Sequence, residues 1–208
     1  MIGLINYGMG NMHSIAKALE CAGGRVRWIS RPEHIDASIE RIVLPGVGAF
    51  RDCMKALKQQ QLQDPLLEHV HAGRPFLGIC LGMQALMETS HEFGLHQGLG
   101  LIEGDVLPFP AQLPEQGYKI PHMGWNDVLL PDAPHPVLQP LVGRQVYYVH
   151  SFFCQPRHDQ EVLGECEYGG IRFASAIGRD NIIGVQFHPE KSQRAGLAML
   201  ASFIGWCP

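Results

Sequence analysis

The chain opens on a short apolar run, Ile2 to Ile5, followed by the turn-like YGMGN at residues 7–11. Apolar residues then recur at Ile15, Ala18, Leu19 and Ala22, a spacing of i, i+3, i+4, i+7 that predicts an amphipathic helix. Asn11 stands where a cap is needed, and Gly23 and Gly24 stop the pattern. RVRWIS, residues 25–30, reads as a second strand, and Arg41 to Leu44 as a third that ends in PGVGAF. Two helical stretches fall between Phe50 and His71, with a break expected near Pro65. Pro75 to Ile79 is a fourth apolar strand, and Leu81 to about His91 a further helix. Strands alternating with helices predict an α/β fold, an open and mainly parallel sheet flanked by helices.

The pattern changes in the second half. Prolines crowd residues 108–140, and short β-like runs follow at 145–153, 162–166, 171–177 and 181–187. These predict antiparallel additions to the same sheet. Ser192 is placed to cap a closing helix with Leu197, Leu200, Ala201 and Ile204 on one face. No repeat, linker or low-complexity segment interrupts the 208 residues, so residues 1–208 are expected to form one domain.

A formal net charge of -4 gives no basic footprint for nucleic acid. No run of about 18 apolar residues is present, so no membrane span is expected. The N-terminus lacks the charged and apolar regions of a signal peptide. The six cysteines are scattered without a CxxC pair, which favours reduced thiols and a cytoplasmic location. His150, Cys154 and His158 recur every four residues, but that spacing faces one way only on a helix. Pro156 and the β-rich YYVHSFF oppose a helix there, so no metal site is expected.

YGMGN follows a strand and opens a helix, yet His13 stands where a dinucleotide fingerprint needs its third glycine, and no P-loop occurs. G-x-C-x-G at Gly78, Cys80 and Gly82 carries more. It lies at a strand-to-helix junction and is the thiol counterpart of a nucleophile elbow. So sharp a turn strains its central residue and crowds its neighbours, which is why glycines flank it. The turn lifts the sulfur to the sheet's carboxyl edge, where the start of a helix favours thiolate over thiol. A nucleophilic thiol needs a base. In the run 181–187, Ile182, Gly184 and Gln186 share one face, and His188 continues it. Glu190, two residues on, points the same way in extended backbone and suits the role of orienter. The N–H of Leu81 and the flexible turn Gly46-Val47-Gly48 supply candidate oxyanion donors.

GICLGMQ and FHPEKS together resemble the class I, triad-type glutamine amidotransferases. INYGMGN, LPGVGAF, PHMGWN, YYVHSFF and GVQFHPEKS narrow the resemblance to the glutaminase subunits of imidazole glycerol phosphate synthase, from Ile2 to the last helix. Two positions depart from that pattern: Asn6 stands for an acid, and Phe152 for a tyrosine.

The resemblance implies a Cys80–His188–Glu190 triad, with the oxyanion held by the N–H groups of Leu81 and, after a peptide reorientation, Val47. It implies glutamine contacts at Gly48, Gln84, Glu92, Ser151 and Phe152, with Glu92 on the α-ammonium group. It further implies a heterodimer with HisF, a (β/α)8-barrel cyclase that receives the ammonia, and docking through Asn11, Met123, Trp125 and Lys191. Trp125 is expected in a Gly/Pro-rich loop. No cofactor is implied. Two other readings keep the elbow: a stand-alone cysteine hydrolase of similar fold, and a catalytically inactive binding subunit. Neither gives PHMGWN and the full triad a task together.

Overall fold

The computed structural model describes residues 1–208. Its strands are β1 (Ile2–Ile5), β2 (Val26–Ile29), β3 (Arg41–Leu44), β4 (Phe76–Ile79), β5 (Met87–Ser90), β6 (His96–Gln97), β7 (Ile102–Pro108), β8 (His122–Asp127), β9 (Gln145–His150), β10 (Phe152–Pro156), β11 (Val162–Tyr168), β12 (Ile171–Arg179) and β13 (Ile182–Val185). The helices are α1 (Met12–Cys21), α2 (Phe50–Gln59), α3 (Gln63–His71), α4 (Leu81–Gln84) and α5 (Gln193–Gly205).

Eleven strands form one sheet in the order β2-β1-β3-β4-β13-β12-β10-β7-β5-β6, with β11 paired to β12. The run from β2 to β13 is parallel throughout, and β12, β10 and β7 continue it antiparallel. This is the expected α/β architecture. Alternation along the strands sorts side chains into two apolar layers. Leu4, Val43, Leu77, Ile79, Ile183 and Val185 face the layer closed by α1 and α5. Ile5, Ile42, Leu44, Phe76 and Ile182 face the layer closed by α2 and α3.

Several boundaries differ from the sequence reading, each for a tertiary reason. The helix expected from Leu81 to about His91 is a single turn, α4, and Met87–Ser90 is strand β5. Its residues are adequate helix formers, but pairing with β7 captures them, with Met87 opposite Ile102 and Ser90 opposite Val106. Pro65 does not break the helical pair. It lies in the first turn of α3, where a missing N–H costs nothing, and the break falls at Gln61 with φ 56°. The 181–187 run is not simply an antiparallel addition: β13 returns antiparallel to β12 but lies parallel to β4. The 145–153 run is split, with β9 joining β8 in a separate two-stranded sheet and β10 joining the main one. Trp125 accordingly sits on a strand rather than in a loop. Neither Asn11 nor Ser192 makes a side-chain cap. The buried seam of α5 is Gly196, Met199, Leu200 and Phe203, while Ala201 is exposed, because the helix packs through Gly196 onto Pro189.

A Cβ at Gly98 would lie 2.1 Å from the Met87 carbonyl oxygen, so only glycine lets this segment close over β5. Gly98→Ala is expected to lower stability by about 1–3 kcal/mol, read as a reduced urea midpoint. An unchanged midpoint would show that the β5 segment yields freely.

Candidate active site

Parallel register brings the two chemical motifs to one edge. Ile79, the last residue of β4, lies opposite Val185, the last of β13. Cys80 then donates its backbone N–H to Val185 O at 2.7 Å. The chain turns sharply there, and Cys80 takes φ 53°, ψ -109°, a conformation that L residues rarely adopt. The flanking glycines are needed for close approach. A Cβ on Gly78 would lie 2.5 Å from Gly82 O, and one on Gly82 would lie 1.8 Å from Leu44 O. Backbone strain of this kind, at a carboxyl edge, is the elbow expected from G-x-C-x-G. The helix behind it has only four residues, so its dipole is a weaker source of positive field than a long helix would be.

His188 follows β13, and its backbone is clipped in place from two sides. Its N–H donates to Tyr147 O at 2.9 Å, and its carbonyl accepts the Ser192 hydroxyl at 2.7 Å. Ser192 Oγ in turn accepts the Tyr147 N–H at 3.0 Å, so the expected helix cap braces the histidine instead. Glu190 reaches His188 through a 3-10 turn, Pro189–Lys191, rather than through extended backbone. Its Oε1 lies 2.8 Å from His188 Nδ1, and both side chains are almost wholly buried. Nδ1 therefore carries a proton, and Nε2 is the ring nitrogen not committed to Glu190. His188 Nε2 and Glu190 Oε2 are buried without a hydrogen-bond partner.

Burial by itself would discourage charge on His188. Interaction with Cys80, and then with Glu190, more than reverses this and pushes the imidazole up to about 10.

One cleft of about 330 Å³ is lined by Val47, Gly48, Cys80, Leu81, Gln84, Glu92 and the 149–152 segment, with Pro121 at its rim. Its size suits a small polar metabolite. Val47, Gly48, Gln84, Glu92, Ser151 and Phe152, expected around a substrate, are thus brought together with Cys80 and Leu81. A larger open depression of about 870 Å³ lies between α1 and α5 and meets Glu190, but Cys80, His188 and Gln84 do not line it.

Within the cleft, the roles of the polar groups are legible. Gln84 donates its Nε2 to Phe152 O at 3.0 Å and to Gln186 Oε1 at 3.2 Å, which leaves its Oε1 as the free acceptor. A Cβ on Gly46 would lie 2.8 Å from Leu81 Cβ, so the Pro45–Gly48 turn passes directly beside the elbow. Gly48 has φ +99°, and neither it nor Val47 donates its N–H within the chain. The N–H of Leu81 opens α4, where no intrahelical partner exists. Glu92 accepts the Phe50 N–H at the start of α2. At the departures, Phe152 contributes its carbonyl, and Asn6 accepts the Gly8 N–H at 3.2 Å to shape the first turn.

The expected docking residues lie outside the cleft. Met123 and Trp125 are 60% and 45% exposed, and Asn11 and Lys191 are exposed as well. Trp125 packs edge-on against Tyr147, and Lys191 Nζ lies 5.5 Å from the same ring, so these two share one surface. His150, Cys154 and His158 go separate ways: His150 pairs with His122, Cys154 is buried in the sheet, and His158 meets Glu103 on the surface.

Sequence reasoning missed Gln186 and the pair His122 and His150. Gln186 is fully buried and donates to Cys80 Sγ at 3.6 Å. Its signal was an amide just past the apolar residues of β13, directly before Phe187 and His188.

The profile of the family described as "Glutamine amidotransferase class-I" matches residues 3–205. A protein of Syntrophotalea carbinolica named "Imidazole glycerol phosphate synthase subunit HisH" is 48% identical over 206 residues, covering 98% of each chain. One of the same name from Geobacter sulfurreducens is 46% identical, covering 97% of each. In fold, a structure titled "Structure of PurLQS from Thermotoga maritima" superposes with a TM-score of 0.74 at 18% identity, over 98% of this chain and 97% of that one. Another, titled "Crystal structure of glutamine amidotransferase", gives 0.71 at 17% identity, over 96% and 98%.

A histidine whose folded pKa lies above its unfolded value stabilises the fold fully below about pH 6.5 and loses that contribution as pH rises toward 10. His188 should therefore remain protonated at pH 8 in an NMR titration. In Cys80→Ala, which removes the largest raising influence, its midpoint should fall; an unmoved midpoint would mean that the two side chains do not interact.

Proposed function

Because the chain belongs to the class I glutamine amidotransferase family, alongside HisH subunits, we propose that it is the glutaminase of an imidazole glycerol phosphate synthase in histidine biosynthesis. The observation that carries this reading is the convergence of Cys80, the buried His188–Glu190 pair and a glutamine-sized cleft, together with full-length likeness to HisH proteins.

The Cys80 thiolate attacks the side-chain amide carbon of glutamine, and the carbonyl electrons move to oxygen. The N–H groups of Leu81 and, after the peptide turns, Val47 hold that oxyanion. His188, charged at the outset, passes its Nε2 proton to the departing amine as the C–N bond breaks, and ammonia leaves. Its neutral ring then takes a proton from water, whose oxygen attacks the thioester and releases glutamate. Glu190 holds the ring orientation through both halves. Gln84 Oε1 and the Glu92 carboxylate accept from the substrate, and backbone of Gly48, Ser151 and Phe152 encloses it.

Ammonia released into water at neutral pH is mostly protonated and ceases to be a nucleophile. The chain therefore works as one subunit of a larger synthase. We assign the receiving subunit as HisF, the (β/α)8-barrel cyclase, which uses ammonia to form imidazole glycerol phosphate and AICAR. The exposed Met123 and Trp125 on β8, with Lys191 on the same surface through Tyr147, form the docking face together with the exposed Asn11, aromatic and cationic as such anchors tend to be. Six unpaired thiols suit a reducing compartment, the cytoplasm. No helix is long and apolar enough to cross a membrane.

In complex with the cyclase, Cys80→Ala should lose glutamine-dependent synthesis by about 10³-fold or more while retaining synthesis from ammonium salt. Loss of both activities would assign Cys80 to the integrity of the complex. The isolated chain should hydrolyse glutamine far more slowly than the ligand-bound complex, because the unpaired Val47 and Gly48 amides leave the oxyanion turn free to switch. Equal rates would rule that switch out.

A further inference from the structure

Beside the triad lies a pair of buried imidazoles whose hydrogen bonds all run one way. His122 and His150 face each other across the β8–β9 ladder. His150 Nδ1 is 2.8 Å from Phe152 O, and a carbonyl can only accept. His150 therefore carries its proton on Nδ1, and its Nε2 is an acceptor. That Nε2 lies 3.0 Å from His122 Nδ1, which must then be a donor. His122 Nε2 is left to accept, and it receives Asn126 Nδ2 at 3.3 Å. The Asn126 amide is itself oriented, since Nδ2 also donates to Glu167 O at 2.9 Å and Oδ1 accepts the Asp127 N–H. Each link fixes the next.

The surroundings keep both rings neutral and still. His122 is stacked between Tyr168, with centroids 4.1 Å apart, and Tyr148, at 4.9 Å. Burial lowers His122 to about 4 and, as the largest influence, lowers His150 to about 3. A second proton on His150 would set its Nε2–H against the His122 Nδ1–H at 3.0 Å, and one on His122 would set its Nε2–H against the Asn126 amide at 3.3 Å.

The end of this series is the carbonyl that also holds Gln84. Phe152 O takes two donors, His150 Nδ1 and Gln84 Nε2. With Nε2 held there and against Gln186, Gln84 has to present Oε1 as its free acceptor. We propose that His122 and His150 are positioning residues for glutamine binding: a one-directional imidazole pair that anchors the Phe152 carbonyl and so orients the Gln84 amide in the cleft. This rests on reading the cleft as the glutamine site. It adds two residues that act through the Phe152 carbonyl, His150 from the cleft's own lining and His122 from outside it, and it gives the buried His122 of PHMGWN a task distinct from its exposed neighbours Met123 and Trp125.

Steady-state glutaminase kinetics in the complex test the proposal. His150→Leu should raise the KM for glutamine about tenfold with kcat within about threefold, as expected for loss of one buried hydrogen bond in binding. His150→Asn places an amide nitrogen the same number of bonds from Cα as Nδ1 and should restore KM to within about threefold of wild type. A wild-type KM in folded His150→Leu, or an Asn variant no better than Leu, overturns it. Long-range ¹⁵N histidine spectra of the wild-type chain decide independently of folding in the variants and of any turnover. Both rings should be protonated on Nδ1 and bare on Nε2 at neutral pH, and His122→Phe should shift the His150 Nε2 resonance. A proton on Nε2 of either ring overturns the proposal. If wild type binds no glutamine while the tautomers are as stated, the reading of the cleft fails and the relay stands as structure.

Discussion

Everything in the site depends on β13 lying parallel to β4 in register, Val185 against Ile79. A parallel pair ends at the same edge, so the residues that leave the two strands emerge side by side. One strand leaves through a glycine-flanked elbow at Cys80, the other through Gln186, Phe187 and His188. Had β13 paired antiparallel to β4, His188 would have emerged at the opposite edge of the sheet, roughly a strand length away. The same register places Gln186 beneath the sulfur and lets the Cys80 N–H close on Val185 O. The β12–β13 hairpin enforces this direction, because β12 itself runs antiparallel.

That dependence explains what was legible in the sequence. Local signals identified the elbow, the histidine with its carboxylate, and the alternation that put Ile183, Val185 and Phe187 together in one layer. They did so because each follows from spacing along a single element. The direction of β13 was not legible, since an apolar run of this length pairs equally well either way. The fate of METS was hidden for a related reason. Its preference is weak, and the partner that decides it, β7, lies beyond a glycine closure at Gly98. Spacing along the chain relates His150 only to Cys154 and His158, whereas its partner His122 is 28 residues away across a strand pair. The position of Ser192 predicts a helix cap. The residue is instead the brace between β9 and His188, a role visible only once Tyr147 is beside it.

The polar groups around the cleft divide into two sets, and the division has a physical meaning. Gln84 Nε2, Gln186, Ser192, His122 and His150 are satisfied by other protein groups. His188 Nε2 and Glu190 Oε2 are buried without partners, and the Val47 and Gly48 amides donate to nothing in the chain. Leaving a buried polar group unpaired costs about 1–3 kcal/mol, which a fold tolerates where the group has other work. The satisfied groups supply a frame that does not relax toward the vacant donors and acceptors. Of the unsatisfied ones, His188 Nε2 and the Val47 and Gly48 amides are those that, on the proposed mechanism, a transferred proton and an oxyanion would engage. A frame that is fully bonded and a reaction surface that is not is the arrangement preorganisation requires, because a catalytic donor already paired within the protein would have to break that bond at the moment of reaction.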